Sequence, residues 1–395
     1  MRLTVYSNGF NFERSSVFRT RGGSKTLVTP QESPMPSTAL VHEWLVRWGG
    51  SESVLASLSS ILPRAPIYTL LHHPDERVKA SFGGREVIAT PLSRIPGAGS
   101  IYPAMLPLMP EVWRRTRVPA SEFIVSSSHA FCKSIDAGNA IHVCYCHTPP
   151  RYIWDLVDEY QPASVRRLSA PLLQHLRRRD LEAAQRVDHF VANSRFVAAR
   201  IRRLYGRESR VVYPPVDVDR FVPEDRPRTH FLAGGRLVRY KRIDRAIEAA
   251  NEAALPLVVF GDGPDSSRLR SIAGPTVHFV GACDDRKLLR LMQGAIALIF
   301  PGVEDFGILP VETQAAGTPV VALAEGGALE TVVDGATGLL YEEDSVTCLL
   351  EAMRVAQGRD WNTTACRANA GRFSRARFEE EMLEVLRSLG FTGPP

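Results

Sequence analysis

Short apolar runs alternate with longer stretches whose apolar positions recur every three or four residues, and the alternation repeats along most of the chain. The first run, STALVHEWLV (Ser37–Val46), has the length and continuity of a buried strand; in RWGGSESVLASLSSIL a Gly-Gly turn then leads into an apolar-periodic helix. The same theme returns in APIYTLL, in EFIVSSS before HAFCKSI, in AIHVCYCHTPP and in VDHFVANSRFVAARI. Beyond VVYPPVDVDRFVPEDRPR (Val211–Arg228), whose prolines and charges mark a linker, a second series begins. It runs through THFLAGGRLVRYKRIDRAIEAA, LPLVVFGDGPDSSRLR, VHFVGACDDRKLLRLMQGA, IALIFPGVEDFGILPVETQAAG and PVVALAEGG. Near-continuous apolar strands separated by helices predict an α/β protein with parallel sheets covered on both faces.

A chain of 395 residues is too long for one core and suits two domains of about 200 residues each. The pattern predicts a disordered extension over 1–36, a Rossmann-like domain over 37–208, a second over 209–373, and a C-terminal helix and tail over 374–395, the helix packing back toward the first domain. Two such domains in tandem place their sheets across a cleft, with ligand at the carboxyl ends of the strands. Apolar content of 44% and charged content of 23% describe a soluble protein. No apolar run approaches the roughly 20 residues of a membrane span and no apolar signal core opens the chain, so a cytoplasmic location is expected. Six cysteines without paired spacing are expected to be reduced thiols. Charge is split: residues 1–205 hold 26 Lys and Arg against 16 Asp and Glu, the remainder 22 against 27. A basic first half suggests an anionic partner, such as a phosphate-bearing acceptor or a lipid surface.

Candidate chemistry concentrates at the strand ends. In IALIFPGVEDFGILPVETQAAG the helix is expected to start near Pro310. The backbone N–H groups of Phe306, Gly307, Ile308 and Leu309 then form an anion or hydroxyl site. Glu304 stands at the strand end and Glu312 about one turn into the helix, placed to address different parts of one ligand. Arg236 and Lys241, in GGRLVRYKRID, suit a pyrophosphate, the first as a planar fork and the second as a point charge. Gly49 and Gly50 let backbone approach a ligand ahead of a helix N-terminus. Each has a plainer explanation alone: a dipole-compensating acid, a solvated cation, a tight turn.

Together, VHEWLVRWGGSE, SSSHAFCKS, YCHTPPRYIWD, VANSRFVA, GRLVRYKRID and EDFGILPVETQAAGTPVVALAEGGALETVVDGATGLLY resemble the retaining nucleotide-sugar glycosyltransferases of family four, which have the GT-B fold. The resemblance covers about residues 37–390 and is greatest to bacterial mannosyltransferases that build O-antigen and exopolysaccharide from GDP-mannose. It implies a retaining, metal-independent hexosyltransferase with no cofactor beyond its nucleotide-sugar substrate. Glu304 would contact hydroxyls of the transferred sugar, Glu312 the ribose, Arg236 and Lys241 the diphosphate, and His147 the reacting sugar from the first domain. A lipid-linked polyprenyl diphosphate saccharide is the implied acceptor. SIYPAMLPLMPEVWRRTR and SVRRLSAPLLQHLRRRD, with arginines among apolar residues, would sit peripherally on an anionic membrane. The same fold with a UDP-sugar donor is the alternative, and a noncatalytic nucleotide-sugar-binding or scaffold subunit the alternative of another class.

Other motifs carry less. GGSKT (22–26) lacks the glycine and preceding strand of a phosphate loop. DVD (217–219) falls in the linker, where metal binding is not expected. HVCYCH (142–147) has too few ligands at too close a spacing for zinc. GDGPD (261–265) is an incomplete dinucleotide fingerprint. No nucleic-acid motif accompanies the basic half.

Overall fold

The computed structural model of the chain describes residues 38–160 and 163–393; the extension expected over 1–36, GGSKT included, lies outside them. The first lobe is built on seven strands: β1 (Thr38–His42), β2 (Ile67–Thr69), β3 (Val87–Ala89), β4 (Phe123–Ser128), β5 (Ile141–Cys146), β6 (His189–Ala192) and β7 (Ser209–Val211). They pair in parallel in the order β3-β2-β1-β4-β5-β6-β7. In the second lobe β8 (His230–Gly234), β9 (Leu257–Phe260), β10 (Val277–Gly281), β11 (Ala295–Phe300), β12 (Val320–Leu323) and β13 (Gly338–Tyr341) form another parallel sheet, in the order β10-β9-β8-β11-β12-β13. β1, β4 and β11 are buried at every position, as strands covered on both faces must be. In each sheet the strand order reverses once, between β1 and β4 and between β8 and β11. Loops leaving those strands diverge to opposite faces and open a crevice at their carboxyl ends.

The sequence boundary at 208 falls short, because Ser209–Val211 pairs with β6 and closes the edge of the first sheet. The segment expected to be a solvated linker is also more deeply engaged. Val216 and Phe221 are buried in a second-lobe cluster with Leu232, Phe300 and Phe373; prolines and charges set the turns around them, but two large apolar side chains still seek a core. The chain crosses between lobes here and again at residue 373, and the crossings are joined, Val216 N–H donating to the Phe373 carbonyl at 2.9 Å. The helix Arg375–Ser388 then lies on the first lobe: Phe378, Met382 and Leu386, four residues apart on one stripe, join the core of Leu40, Leu55 and Val143. Among the described residues, no helix is long and apolar enough to cross a membrane.

Candidate active site

Loops from β8 and β11 meet at the second-lobe switch point. A Cβ on Gly302 would stand 2.6 Å from the Cα of Lys241, so only glycine lets the two loops touch backbone to backbone. That approach sets Lys241 Nζ 2.9 Å from Glu304 Oε1. Burial by itself would lower the Lys241 pKa, but the Glu304 carboxylate outweighs it and the ammonium is held above its usual value. The two residues expected to serve diphosphate and sugar therefore neutralise each other in the unliganded protein. Arg236, in the same loop, is exposed and free of hydrogen bonds and ion pairs among the described residues.

Past Glu304, the Phe306 ring is core, packed on Tyr213 and Phe373, so only its backbone serves the site. Gly307, at φ 88°, caps the helix Ile308–Ala315. Pro310 is thus the third helical residue and not the first as expected, because the glycine turns the chain two residues earlier. No side chain caps this helix. The N–H groups of Phe306, Gly307, Ile308 and Leu309 donate to no protein acceptor among the described residues, leaving a cluster of free donors at a positive helix end. The first lobe abuts it: a Cβ on Gly50 would lie 2.8 Å from Ile308 Cδ1. Its neighbour Gly49 precedes the helix Gly50–Ile61 as N-cap.

Glu312 lies 3.5 Å from Arg220 Nη2 and is 19% exposed. Burial pushes its carboxyl up to about 7, opposed by Arg220 and reinforced by Asp285. Arg220 also donates to Asp285 at 2.7 Å. Glu304 and Glu312 are therefore not a pair, since each answers to a different cation. In the first lobe His147 follows β5, its N–H on the Ser128 carbonyl at 2.9 Å and its Nε2 2.8 Å from Ser127 Oγ. Burial first, then His129 and His42, holds its ring pKa well below the usual histidine range, so the ring is neutral at pH 7. No hydrogen bond joins His147 to the second lobe among the described residues.

Sequence reasoning passed over the residues that tie the lobes together. Asp305, beside Glu304 and 8% exposed, binds two first-lobe arginines: Arg151 Nε at 2.8 Å and Arg200 Nη1 at 2.6 Å. Arg200 also reaches Thr148 Oγ1 at 2.9 Å and Asp155 at 2.8 Å. Glu330 accepts from the N–H groups of Arg195 and Phe196 at 2.9 and 3.1 Å, capping a first-lobe helix from the second lobe. Arg77 stands 3.6 Å from Asp285. Asp305 and Glu330 lay inside motifs quoted for other residues, but a pairing across more than a hundred positions leaves no local trace.

Comparison with known proteins agrees with this architecture. Residues 48–220 match the family described as Glycosyltransferase Family 4, and residues 219–357 the family described as Glycosyl transferases group 1. A D-inositol 3-phosphate glycosyltransferase of Catenulispora acidiphila is 30% identical over 239 residues, 51% of this chain and 57% of the relative. The corresponding Mycobacterium tuberculosis protein is 28% identical, over 52% of this chain and 50% of the relative. The chain thus spans about half the length of these curated relatives. Among solved structures, Anabaena HepE in complex with UDP and glucose superposes with a TM-score of 0.66 at 18% identity, covering 89% of this chain and 99% of that one. Sucrose-phosphate synthase from Thermosynechococcus elongatus superposes at 0.65 with 18% identity, over 89% and 99%. Two parallel sheets, a crevice at both switch points and a superposition over nine-tenths of the chain give this chain the GT-B fold, and matches to two glycosyltransferase families tile residues 48–357.

Proposed function

We propose that the chain transfers a hexosyl unit, with retention, from a nucleoside-diphosphate sugar to an acceptor bound by the first lobe. The observation that carries this reading is the cluster of free N–H groups at Phe306–Leu309 beside the Lys241–Glu304 pair. As the sugar–oxygen bond breaks, negative charge grows on the diphosphate, and fixed positive groups stabilise it most. Arg236, the N–H cluster and Lys241 supply that charge, Lys241 turning from Glu304 toward the phosphate while Glu304 takes up a sugar hydroxyl. Glu312 accepts from ribose hydroxyls. The acceptor oxygen bonds the anomeric carbon on the face the diphosphate leaves, and its proton passes to a diphosphate oxygen. No carboxylate nucleophile and no divalent metal is required in this scheme.

GDP-mannose is the donor favoured by the motif resemblance, and a lipid-linked saccharide at the cytoplasmic membrane face the acceptor. A second reading, a UDP-sugar donor, is favoured by the fold's likeness to a protein solved with UDP and glucose. Thermal denaturation with GDP, GDP-mannose, UDP and UDP-glucose, without divalent metal, separates them. A ligand at 100 times its Kd adds about 2.7 kcal/mol, a rise of several degrees. Stabilisation by the GDP pair is expected; by the UDP pair alone, the second reading replaces the first. Stabilisation only with added manganese would refute metal independence, and none by any of the four would remove the function.

A further inference from the structure

Behind His147 a row of hydrogen-bonding side chains runs back into the first lobe. In the parallel register His42 of β1 stands beside Ser127 of β4, and Ser127 beside Tyr145 of β5. Side chains on one face recur every second residue, so His147, two past Tyr145, emerges on the same row. Ser127 Oγ is 2.8 Å from His147 Nε2 and 3.2 Å from His42 Nδ1, and His42 Nε2 is 3.3 Å from Glu52 Oε1. His42 and Ser127 are fully buried and Glu52 is 3% exposed. Glu52 stands in the first turn of the helix that follows the Gly49–Gly50 turn, with the Ser51 hydroxyl 3.0 Å from its second oxygen.

The row has a direction. Burial alone would raise the Glu52 carboxyl, but the hydrogen bond from His42 leads the effects that hold it below the usual value, so it is a carboxylate with only lone pairs to offer. His42 must therefore donate from Nε2. A His42 ring with that one proton presents a lone pair at Nδ1, which takes the Ser127 hydroxyl hydrogen. The Ser127 oxygen is then the acceptor for His147, whose Nε2 must carry the proton. What remains on the neutral His147 ring is a lone pair at Nδ1, the nitrogen with no protein partner among the described residues.

We propose that Glu52, His42 and Ser127 are positioning residues that fix His147 as its Nε2–H tautomer and so present an acceptor nitrogen to a hydroxyl of the transferred sugar. Orienting the second nitrogen of a histidine through a buried carboxylate costs nothing at the moment of reaction, because the protons are placed on folding. The role at the sugar rests on the function proposed above; the tautomer does not, and it is read without ligand.

Selective ¹⁵N labelling of histidine in the full chain, with the His147 signals assigned from a His147→Gln variant, reports the tautomer directly. The expected result is Nε2–H in the wild type, a mixture of tautomers in Ser127→Ala and in Glu52→Gln, and recovery in Ser127→Thr. Glu52→Gln is informative because an amide presents either an N–H or a C=O to His42 and so removes the bias. Ser127→Ala should lower kcat by about three- to tenfold and leave the donor KM within about twofold. An Nδ1–H tautomer in the wild type, the polarity a doubly protonated His42 would impose, overturns the proposal, as does an unchanged tautomer in Ser127→Ala. The expected tautomers in a protein that transfers no hexose would condemn the function and leave the relay standing.

Discussion

Glu304 and Glu312 share a loop and a helix, yet their surroundings give them different partners. Glu304 is held by the Lys241 ammonium at 2.9 Å; Glu312, pushed up to about 7, is half protonated near neutrality. Glu304→Gln should therefore lower turnover while binding the bare nucleoside diphosphate at least as tightly, since Lys241 is released. Glu312→Gln should weaken donor and diphosphate alike, by about ten- to a hundredfold for a lost charged hydrogen bond. Calorimetric titration beside initial rates checks both; normal binding and turnover in both variants would reduce the two acids to solvation. Glu312 also sets a pH dependence. Between an ordinary glutamate pKa of 4.5 and the folded value of about 7, the folded state keeps a proton the unfolded chain has lost. Its contribution to stability thus falls as pH rises through that window. Half-buried His147 and His129, with pKa values lowered by desolvation, impose the opposite slope below their usual range. The difference between wild type and Glu312→Gln isolates the glutamate, and a pH-independent difference would contradict the assignment.

At the scale of elements, the helices Met109–Arg115 and Ala163–Arg186 test the acceptor side of the proposed function. Ile101 and Leu108, just ahead of the first helix, and Leu168 and Leu172 in the second are exposed by 48, 56, 85 and 42%, in segments that also carry arginines. The basic part is thinner than the arginine count suggests. Glu111 binds both Arg114 and Arg115, at 2.7 Å each, and its own pKa falls to about 2 under the Arg114 hydrogen bond and charge. Arg179 is likewise paired with Glu182 at 3.0 Å. Binding to anionic vesicles should thus be driven by both terms: Leu108→Ser with Leu168→Ser should weaken it severalfold, and raising salt past a Debye length of about 8 Å should weaken it further. Flotation with equal recovery on neutral and anionic vesicles would remove this face as the acceptor surface.

Across the whole molecule, the charged contacts that tie the lobes differ in burial: Arg77–Asp285 is about half exposed and the Glu330 cap lies near the surface. Asp305 between Arg151 and Arg200 is the most enclosed of them, and it is joined covalently to Glu304 in the donor loop. Removing one partner of a buried ion pair costs about 3 to 5 kcal/mol because the remaining charges stay unpaired. Asp305→Asn should therefore lower the thermal midpoint, open the interlobe angle and weaken donor binding together. Small-angle scattering of the free variant should show an increased radius of gyration. An unchanged radius with unchanged donor affinity would mean that the cluster stabilises the first lobe's loops and plays no part in closure.

How much of this was written in the sequence follows from the range of each interaction. The alternation of apolar strands and periodic helices depends on neighbours within a few residues, so two parallel α/β sheets were legible, as were a glycine turn before a helix and the N–H cluster at Phe306–Leu309. The edge strand Ser209–Val211 was not, because three residues of mixed polarity become a strand only where β6 offers an open edge. Nor was the burial of Val216 and Phe221, hidden among prolines that read as linker. Residue types alone suggested which acids and cations belong to one crevice; which of them pair was decided by tertiary contacts. Lys241 with Glu304, Arg220 with Glu312, Asp305 with Arg151 and Arg200, and the row from Glu52 to His147 all join positions that only the folded chain brings together. A side chain's charge is a local property, but its partner, and with it its pKa and its tautomer, is a property of the fold.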